Sequence, residues 1–246
     1  MKPNINIVVA THFPEGADGE IRERGFLESV ESWQKNFTYE RNIHIIEIHD
    51  GMKMLSSRKH NVFRHPRNGI GASLNEGFGL AFLKSPLALN IVDDAVLAQP
   101  YDLTPWAQML MEDEAIGAVH LSFPYPGCTG TIEPRKHGWV VRMNRHNLVA
   151  GLRPCLYHKR FFDAYGWFDE GMSAWETERL FNDRFCQTEG PESVLALPLP
   201  WTEGKGSAVL LGDKSPSWEP EPRIVDGILM TEKMEQLTCQ SGRYVP

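Results

Sequence analysis

"ALNIVDDAVL", residues 88–97, climbs through apolar and small residues and stops on two adjacent carboxylates, Asp93 and Asp94. A short apolar run bounded by polar residues reads as a strand buried on both faces. Two like charges side by side oppose each other's ionisation, so the pair calls for a compensating cation. Upstream, "INIVVA" (5–10) and "IHIIEIHDG" (43–51) repeat the pattern, and "NVFRH" (61–65) adds a shorter strand. Between them Ile21, Phe26, Val30, Trp33 and Phe37 recur at helical spacing, which predicts a helix over 21–36. "GASLNEGFGLAFLKS" predicts a second over 71–85, and a helix near 103–113 with a strand over 116–123 continues the series. Strands alternating with helices imply a mostly parallel sheet covered on both faces.

Beyond residue 123 the regularity breaks. "PYPGCTGTIEPRKHG" is turn-rich, and "WVVRMNRHNLVAGLRPCLYHK" predicts short strands or a hairpin. A helix is expected over 174–187, a late strand over 193–201, and a terminal helix in "RIVDGILMTEKMEQL". The 246 residues, 41% of them hydrophobic, suit a single domain over 1–246. Its first half, 1–122, is of nucleotide-binding type. The second, 123–246, is an irregular partner-binding half with a C-terminal tail.

Four scattered cysteines with no CxxC pair argue against a disulfide framework or a zinc site. The absence of a leader pattern and of any apolar run near 20 residues leads us to expect a soluble, cytoplasmic protein with no transmembrane segment. A net charge of −7 argues against coating nucleic acid through the overall field. Locally, no acidic residue falls between Glu133 and Asp163, where Arg135, Lys136, Arg142, Arg145, Arg153, Lys159 and Arg160 cluster. That segment predicts either an electropositive face for an anionic ligand or an ordinary solvated surface.

Several chemistries are excluded by their missing motifs: there is no GxxxxGK phosphate loop, no HExxH and no GxSxG. Gly69-x-Gly71 precedes a helix, but Leu74 stands where a dinucleotide fold has its third glycine, so a Rossmann dehydrogenase is excluded too. The set Asn68, Gly69, Gly71, Asn75 and Gly77 marks a place where backbone comes close to something, whether a ligand or the sheet. Ligands of open parallel sheets bind outside the carboxyl ends of strands. Asp50, Asp93 and Asp94 each end a predicted strand, where a hard divalent cation would neutralise them and hold a diphosphate.

The order "VVATHFP", "IIEIHDG", "HPRNGIGASLNEGFGLA", "ALNIVDDAVL" and "YGWFDEGMSAWETERLFNDR" resembles the GT-A glycosyltransferases related to the inverting family-2 enzymes, over about residues 4–185. The resemblance implies an α/β fold of GT-A type, with a Rossmann-like nucleotide-binding half, a mixed central sheet and an irregular acceptor-binding half. It implies transfer of a sugar from a nucleotide diphosphate donor, expected to be UDP-linked, to a hydroxyl acceptor with inversion. Thr11 and Asp50 would then hold the nucleobase and ribose, and Asn68 and Asn75 would flank the nucleotide. Asp93 and Asp94 match the DxD motif, Asp93 facing the donor and Asp94 a Mn²⁺ or Mg²⁺ ion.

That motif is degenerate here, since Val92 or Ala95 stands where the family has a further carboxylate. No histidine follows His158 to supply the family's late ligand, which leaves Glu203 of "WTEGKGS" or water. Glu176 in "WETERL" best matches the general base, with Glu178 in reserve and Trp175 either a core residue or a platform for a sugar ring. Two other readings stay open. A sugar-1-phosphate nucleotidyltransferase usually has a basic, glycine-rich loop after its first strand, whereas "THFPEGADGE" is acidic. A glycosyltransferase-like binding module would have lost catalysis with its DxD. The basic segment leaves room for an anionic acceptor: a lipid-linked carrier, a polysaccharide or a modified nucleic acid.

Overall fold

Thirteen strands and five helices make up a computed structural model of the chain, which describes residues 3–13, 17–39, 43–49, 60–64, 68–93, 96–97, 100–122, 130–145, 152–197, 222–225 and 228–231. The strands are β1 (Ile5–Thr11), β2 (Phe37–Thr38), β3 (Ile43–His49), β4 (Asn61–Arg64), β5 (Leu87–Asn90), β6 (Tyr101–Asp102) and β7 (Ile116–His120), then β8 (Gly130–Arg135), β9 (Gly138–Met143), β10 (Cys155–His158), β11 (Glu192–Leu197), β12 (Pro222–Val225) and β13 (Ile228–Thr231). The helices are α1 (Ala17–Asn36), α2 (Gly69–Phe82), α3 (Thr104–Glu112), α4 (Lys159–Tyr165) and α5 (Ala174–Gln187).

Eleven strands form one sheet in the order β12-β13-β8-β9-β11-β7-β10-β5-β1-β3-β4, and β2 pairs with β6 apart from it. The β1, β3, β4 and β5 strands run parallel, as the strand–helix alternation predicts. The sheet as a whole is mixed, because β10 inserts antiparallel between β5 and β7, and the β8–β9 hairpin joins antiparallel to β11. Since β10 opposes both neighbours, β5 and β7 point the same way, and β11 runs parallel to β7. The carboxyl ends of β1, β3, β4, β5, β7 and β11 therefore share one edge. The first turn of α2, which follows β4, and that of α5, which leads into β11, lie at this edge.

Alternation along β1 sorts the core into two layers. Ile5, Ile7 and Val9 face α1 and α3 with Phe26, Trp33 and Trp106, while Val8 faces the other way with Leu74 and Phe78 of α2 and Phe161 and Phe181. Gly77 lets α2 press on the sheet, since a Cβ there would run into Val8 and Ile48.

Two expectations are corrected, and one helix, α4, is added where none was expected. The turn-rich segment 124–138 contains β8, whose register with β9 is fixed by the short Arg135–Gly138 connection. The short helix α4 begins directly after β10, capped by His158. Where the terminal helix was expected, residues 222–225 and 228–231 form the antiparallel strand pair β12 and β13, and β13 extends the sheet at β8. Among the described residues no helix is long and apolar enough to cross a membrane.

Candidate active site

At the carboxyl edge, Thr11 ends β1 with its side chain buried. Its hydroxyl donates to Glu47 Oε1 at 2.9 Å and lies 3.0 Å from His49 Nδ1. Glu47 Oε2 also meets His60 Nε2 at 2.7 Å, with both side chains almost fully enclosed. A buried carboxylate survives only when its oxygens are partnered, and these contacts partner both. Thr11 is thus bound into the carboxyl edge of the sheet, where the ligand crevice of an open α/β sheet lies. Strand β5 stops at Asn90, so Asp93 lies in the turn beyond it, and Arg22 of α1 approaches its carboxylate at 3.6 Å. Arg22 supplies one cation of the kind the acidic pair calls for. Asp50, Asp94 and Glu203 lie outside the described residues. Among the described residues no group of three or more His, Cys, Asp or Glu could hold a metal ion, so they do not by themselves furnish a cation site.

Asn68 and Asn75 both face the segment 166–173. Asn75 Oδ1 accepts from Phe168 N at 3.0 Å and its Nδ2 donates to Phe168 O at 2.9 Å, mimicking a strand partner. The same Nδ2 reaches Glu170 Oε1 at 3.0 Å, and Asn68 Nδ2 reaches Glu170 Oε2 at 3.3 Å. Asn68 O accepts from Gly171 N at 2.8 Å. The glycines explain themselves here. A Cβ at Gly71 would strike the Asp169 carbonyl, and one at Gly69, whose φ is +81°, would sit 2.7 Å from the Met172 carbonyl. The asparagine–glycine block is thus shaped to the "GWFDEG" block, and two motifs separated by about 100 residues dock on each other.

That segment delivers the first turn of α5, where the two candidate bases differ sharply. Glu176 is exposed and closes a capping box: Ser173 Oγ accepts from Glu176 N, and Glu176 Oε2 accepts from Ser173 N at 3.2 Å and Ser173 Oγ at 2.7 Å. Hydrogen bonds from the Ser173 side chain and backbone hold its carboxyl below the ordinary range. Glu178 is half-buried instead. Burial pushes its carboxyl up, against the opposing pull of the Leu152 N–H, which donates to Oε1 at 2.6 Å, and of the Arg153 charge. The Leu152 carbonyl in turn accepts from Asn90 Nδ2 at 2.7 Å, so Glu178 is tied to the end of the central strand. Asn90 and Glu170 were not singled out in the sequence. The signal for Asn90 was a lone amide closing the apolar run "LALN".

Trp175, at the mouth of this turn, is 54% exposed and is not a core residue. The basic segment is also different in space from what it is in sequence. Arg142 Nε pairs with Glu133 at 2.9 Å, Arg135 with Glu133 at 2.9 Å, and Lys136 with Glu112 at 2.5 Å. Lys159 pairs with Asp163. Arg145 donates to Tyr165 OH, Phe185 O and Thr188 O and lies over the Phe185 ring at 4.5 Å. Glu133 and Asp163 at the two ends of the segment and Glu112 of α3 supply the partners, so these four ion-paired cations favour the solvated surface over the electropositive face, the two alternatives the sequence left open.

No family model matches the sequence, and no curated protein matches it. Solved structures do. The structure of GalNAc-T7 with UDP, GalNAc and Mn²⁺ aligns with a TM-score of 0.54 at 16% identity, over 78% of this chain and 41% of that one. S. aureus TarS aligns at 0.53 and 11% identity, over 80% of this chain and 37% of TarS, and its 1–349 fragment at 0.51 and 13%, over 78% and 60%. This chain has the mixed α/β fold of the GT-A glycosyltransferases. It covers 60% or less of the length of each of these chains.

Proposed function

We propose that the protein transfers a sugar from a nucleotide diphosphate donor, UDP-linked by preference, to a hydroxyl acceptor with inversion at the anomeric carbon. The donor would lie over the carboxyl ends of β1, β3 and β5, with Thr11 in the floor and Asp50 and Asp93 at the rim, within the half formed by residues 1–122. The acceptor would enter from the side of residues 123–246. The observation that carries this reading is the placement of Glu178, whose Oε1 is held by the Leu152 N–H beside the end of β5, where burial also pushes its carboxyl up.

Glu178 takes the base's role in this proposal in preference to Glu176. As the acceptor oxygen bonds to the anomeric carbon, its proton passes to a Glu178 carboxylate oxygen and the bond to the leaving diphosphate breaks. A base whose pKa is raised toward the working pH gains in proton affinity while still being ionised, and such assistance contributes roughly 10²–10⁴-fold. Glu176, exposed and capped, is the weaker base. GalNAc-T7 is seen with Mn²⁺. In this chain Asp94 is the proposed ligand of a Mn²⁺ or Mg²⁺ ion, which when bound would neutralise the diphosphate. The steps above use only the chain's own residues.

The test is a thermal-shift series with UDP, GDP and CDP, with and without Mn²⁺ or Mg²⁺, on the native chain and on Asp94→Ala. Saturation at about 100 times Kd adds roughly 2.7 kcal/mol to the folded state, and each kcal/mol moves the midpoint by about 2–4 °C at this length. A metal-dependent shift with one nucleotide, lost in Asp94→Ala, supports the reading. A flat response to every nucleotide overturns it.

A further inference from the structure

The segment 166–173 touches α2 at points spread along its first two turns, and Asn75 is the side chain that holds both the N–H and the C=O of one of its residues, Phe168. Phe168, whose N–H and C=O are both taken by Asn75, packs its ring on Phe181 of α5 at 4.6 Å between centroids. Phe181 lies one turn beyond Glu178 on the same helix face. Thr177, fully buried between these residues, has its Oγ1 3.5 Å from the Asp169 carbonyl, and its methyl group would lie 3.3 Å from a Cβ placed at Gly71. Arg184 Nη1, from the last turn of α5, binds Asp169 Oδ2 at 3.0 Å. Every described polar contact of the Asn75 amide thus goes to the segment that sets where α5 begins.

We infer that Asn75 is a positioning residue: by clasping Phe168 and Glu170 it registers the first turn of α5, and with it Glu178, against the crevice. The inference rests on the proposed transferase reading for its kinetic consequence. It gives Asn75 a role different from flanking the nucleotide. A side chain acting this way governs the chemical step and leaves donor affinity alone, because geometry errors of about 1 Å at a reacting group cost on the order of 100-fold in rate while ground-state contacts survive.

Two variants test it. Asn75→Ala removes the clasp. Asn75→Asp keeps the acceptor for Phe168 N–H but turns a carboxylate toward Glu170, and adding Glu170→Gln restores a donor–acceptor pair between the two positions, which keeps the test open if the alanine variant folds poorly. In hydrogen exchange, the Phe168 and Gly171 amides of Asn75→Ala should exchange at least about tenfold faster, with β1 and β5 amides unchanged. In turnover of a UDP-sugar, kcat should fall by about tenfold or more with UDP Kd within about twofold, and Glu170→Gln should recover part of the loss in Asn75→Asp. Unchanged exchange at Phe168 overturns the clasp. A raised UDP Kd with intact kcat overturns positioning and makes Asn75 a donor contact. If the native chain binds no nucleotide, the transferase reading fails and the exchange result alone decides whether Asn75 registers α5.

Discussion

Asn90 and Glu178 hold the same residue, Leu152, from two different elements of the fold. Asn90 Nδ2 donates to the Leu152 carbonyl at 2.7 Å, and Glu178 Oε1 accepts from the Leu152 amide at 2.6 Å. One residue belongs to the central strand that leads to Asp93, the other to the helix that follows the "GWFDEG" block. The Leu152 backbone therefore sets the separation between the strand end and the carboxylate. It also accounts for the conformation of Glu178, which is pinned through Oε1 and, among the described residues, keeps Oε2 without a hydrogen bond.

Glu178→Gln should retain nucleotide binding and lose transfer by about 10²–10⁴-fold, whereas Glu176→Gln should lose well under tenfold. The pH profile gives a second check. Burial raises the Glu178 pKa, so the base is disabled by protonation at a pH where an ordinary glutamate is still ionised. The acid limb of kcat/KM should fall above the usual glutamate range and be absent in Glu178→Gln. A full loss in Glu176→Gln with an intact Glu178→Gln would return the role to Glu176.

The capping box makes a prediction about stability alone. Ser173 Oγ accepts from Glu176 N, and losing an N-cap acceptor costs about 0.5–2 kcal/mol. Ser173→Ala should lower Tm by about 2–4 °C per kcal/mol at this chain length, and Ser173→Asp should restore it. An unchanged Tm in Ser173→Ala would mean that α5 starts independently of its cap.

Residues 1–122 were legible because their strands are apolar runs and their helices keep one period. The reading of 5–10 as a strand falls within a residue of β1, and in the second half the helix expected over 174–187 coincides with α5. The strand β8 was hidden by Gly130 and Pro134, which read as turn residues, and β12–β13 by the charged "TEKMEQL" that follows and mimics a helix. The site divided differently. A carboxylate at the start of α5 could be found from sequence, but the choice between Glu176 and Glu178 turned on burial and on which backbone amide each one meets. Long-range pairing decides such questions. Asn75 reads alike whether it faces a nucleotide or Phe168, and Arg142 reads as free charge until Glu133 is brought beside it across the hairpin.

Two arginines of the basic segment, Arg145 and Arg142, should behave oppositely. Arg145→Met removes donors from Tyr165 OH, Phe185 O and Thr188 O and should destabilise on the order of 3 kcal/mol. Arg142 is exposed and its pairs with Glu133 and Glu192 are solvent-screened, so Arg142→Ala should cost about 1 kcal/mol or less. Urea unfolding of both variants measures the difference. Equal losses would refute the assignment of Arg145 as the structural one of the two.

His158 supplies a pH dependence whose sign can be worked out. It caps α4 by accepting from Arg160 N at Nδ1, 3.1 Å away, which requires the neutral ring with its proton on Nε2. Burial, aided by the Arg160 charge, lowers its pKa from 6.5 to about 4. A depressed folded-state pKa means that the unfolded chain binds this proton first, so the contribution to stability is full above about pH 6.5 and drains away as pH falls toward 4. Protonation also turns Nδ1 from acceptor to donor and abolishes the cap. His158→Asn keeps a good capping side chain and does not titrate. The native chain should therefore lose stability relative to this variant between pH 6.5 and 4 and run parallel to it above. Parallel unfolding curves at pH 4.5, 5.5 and 7 would show that His158 carries no part of the acid sensitivity.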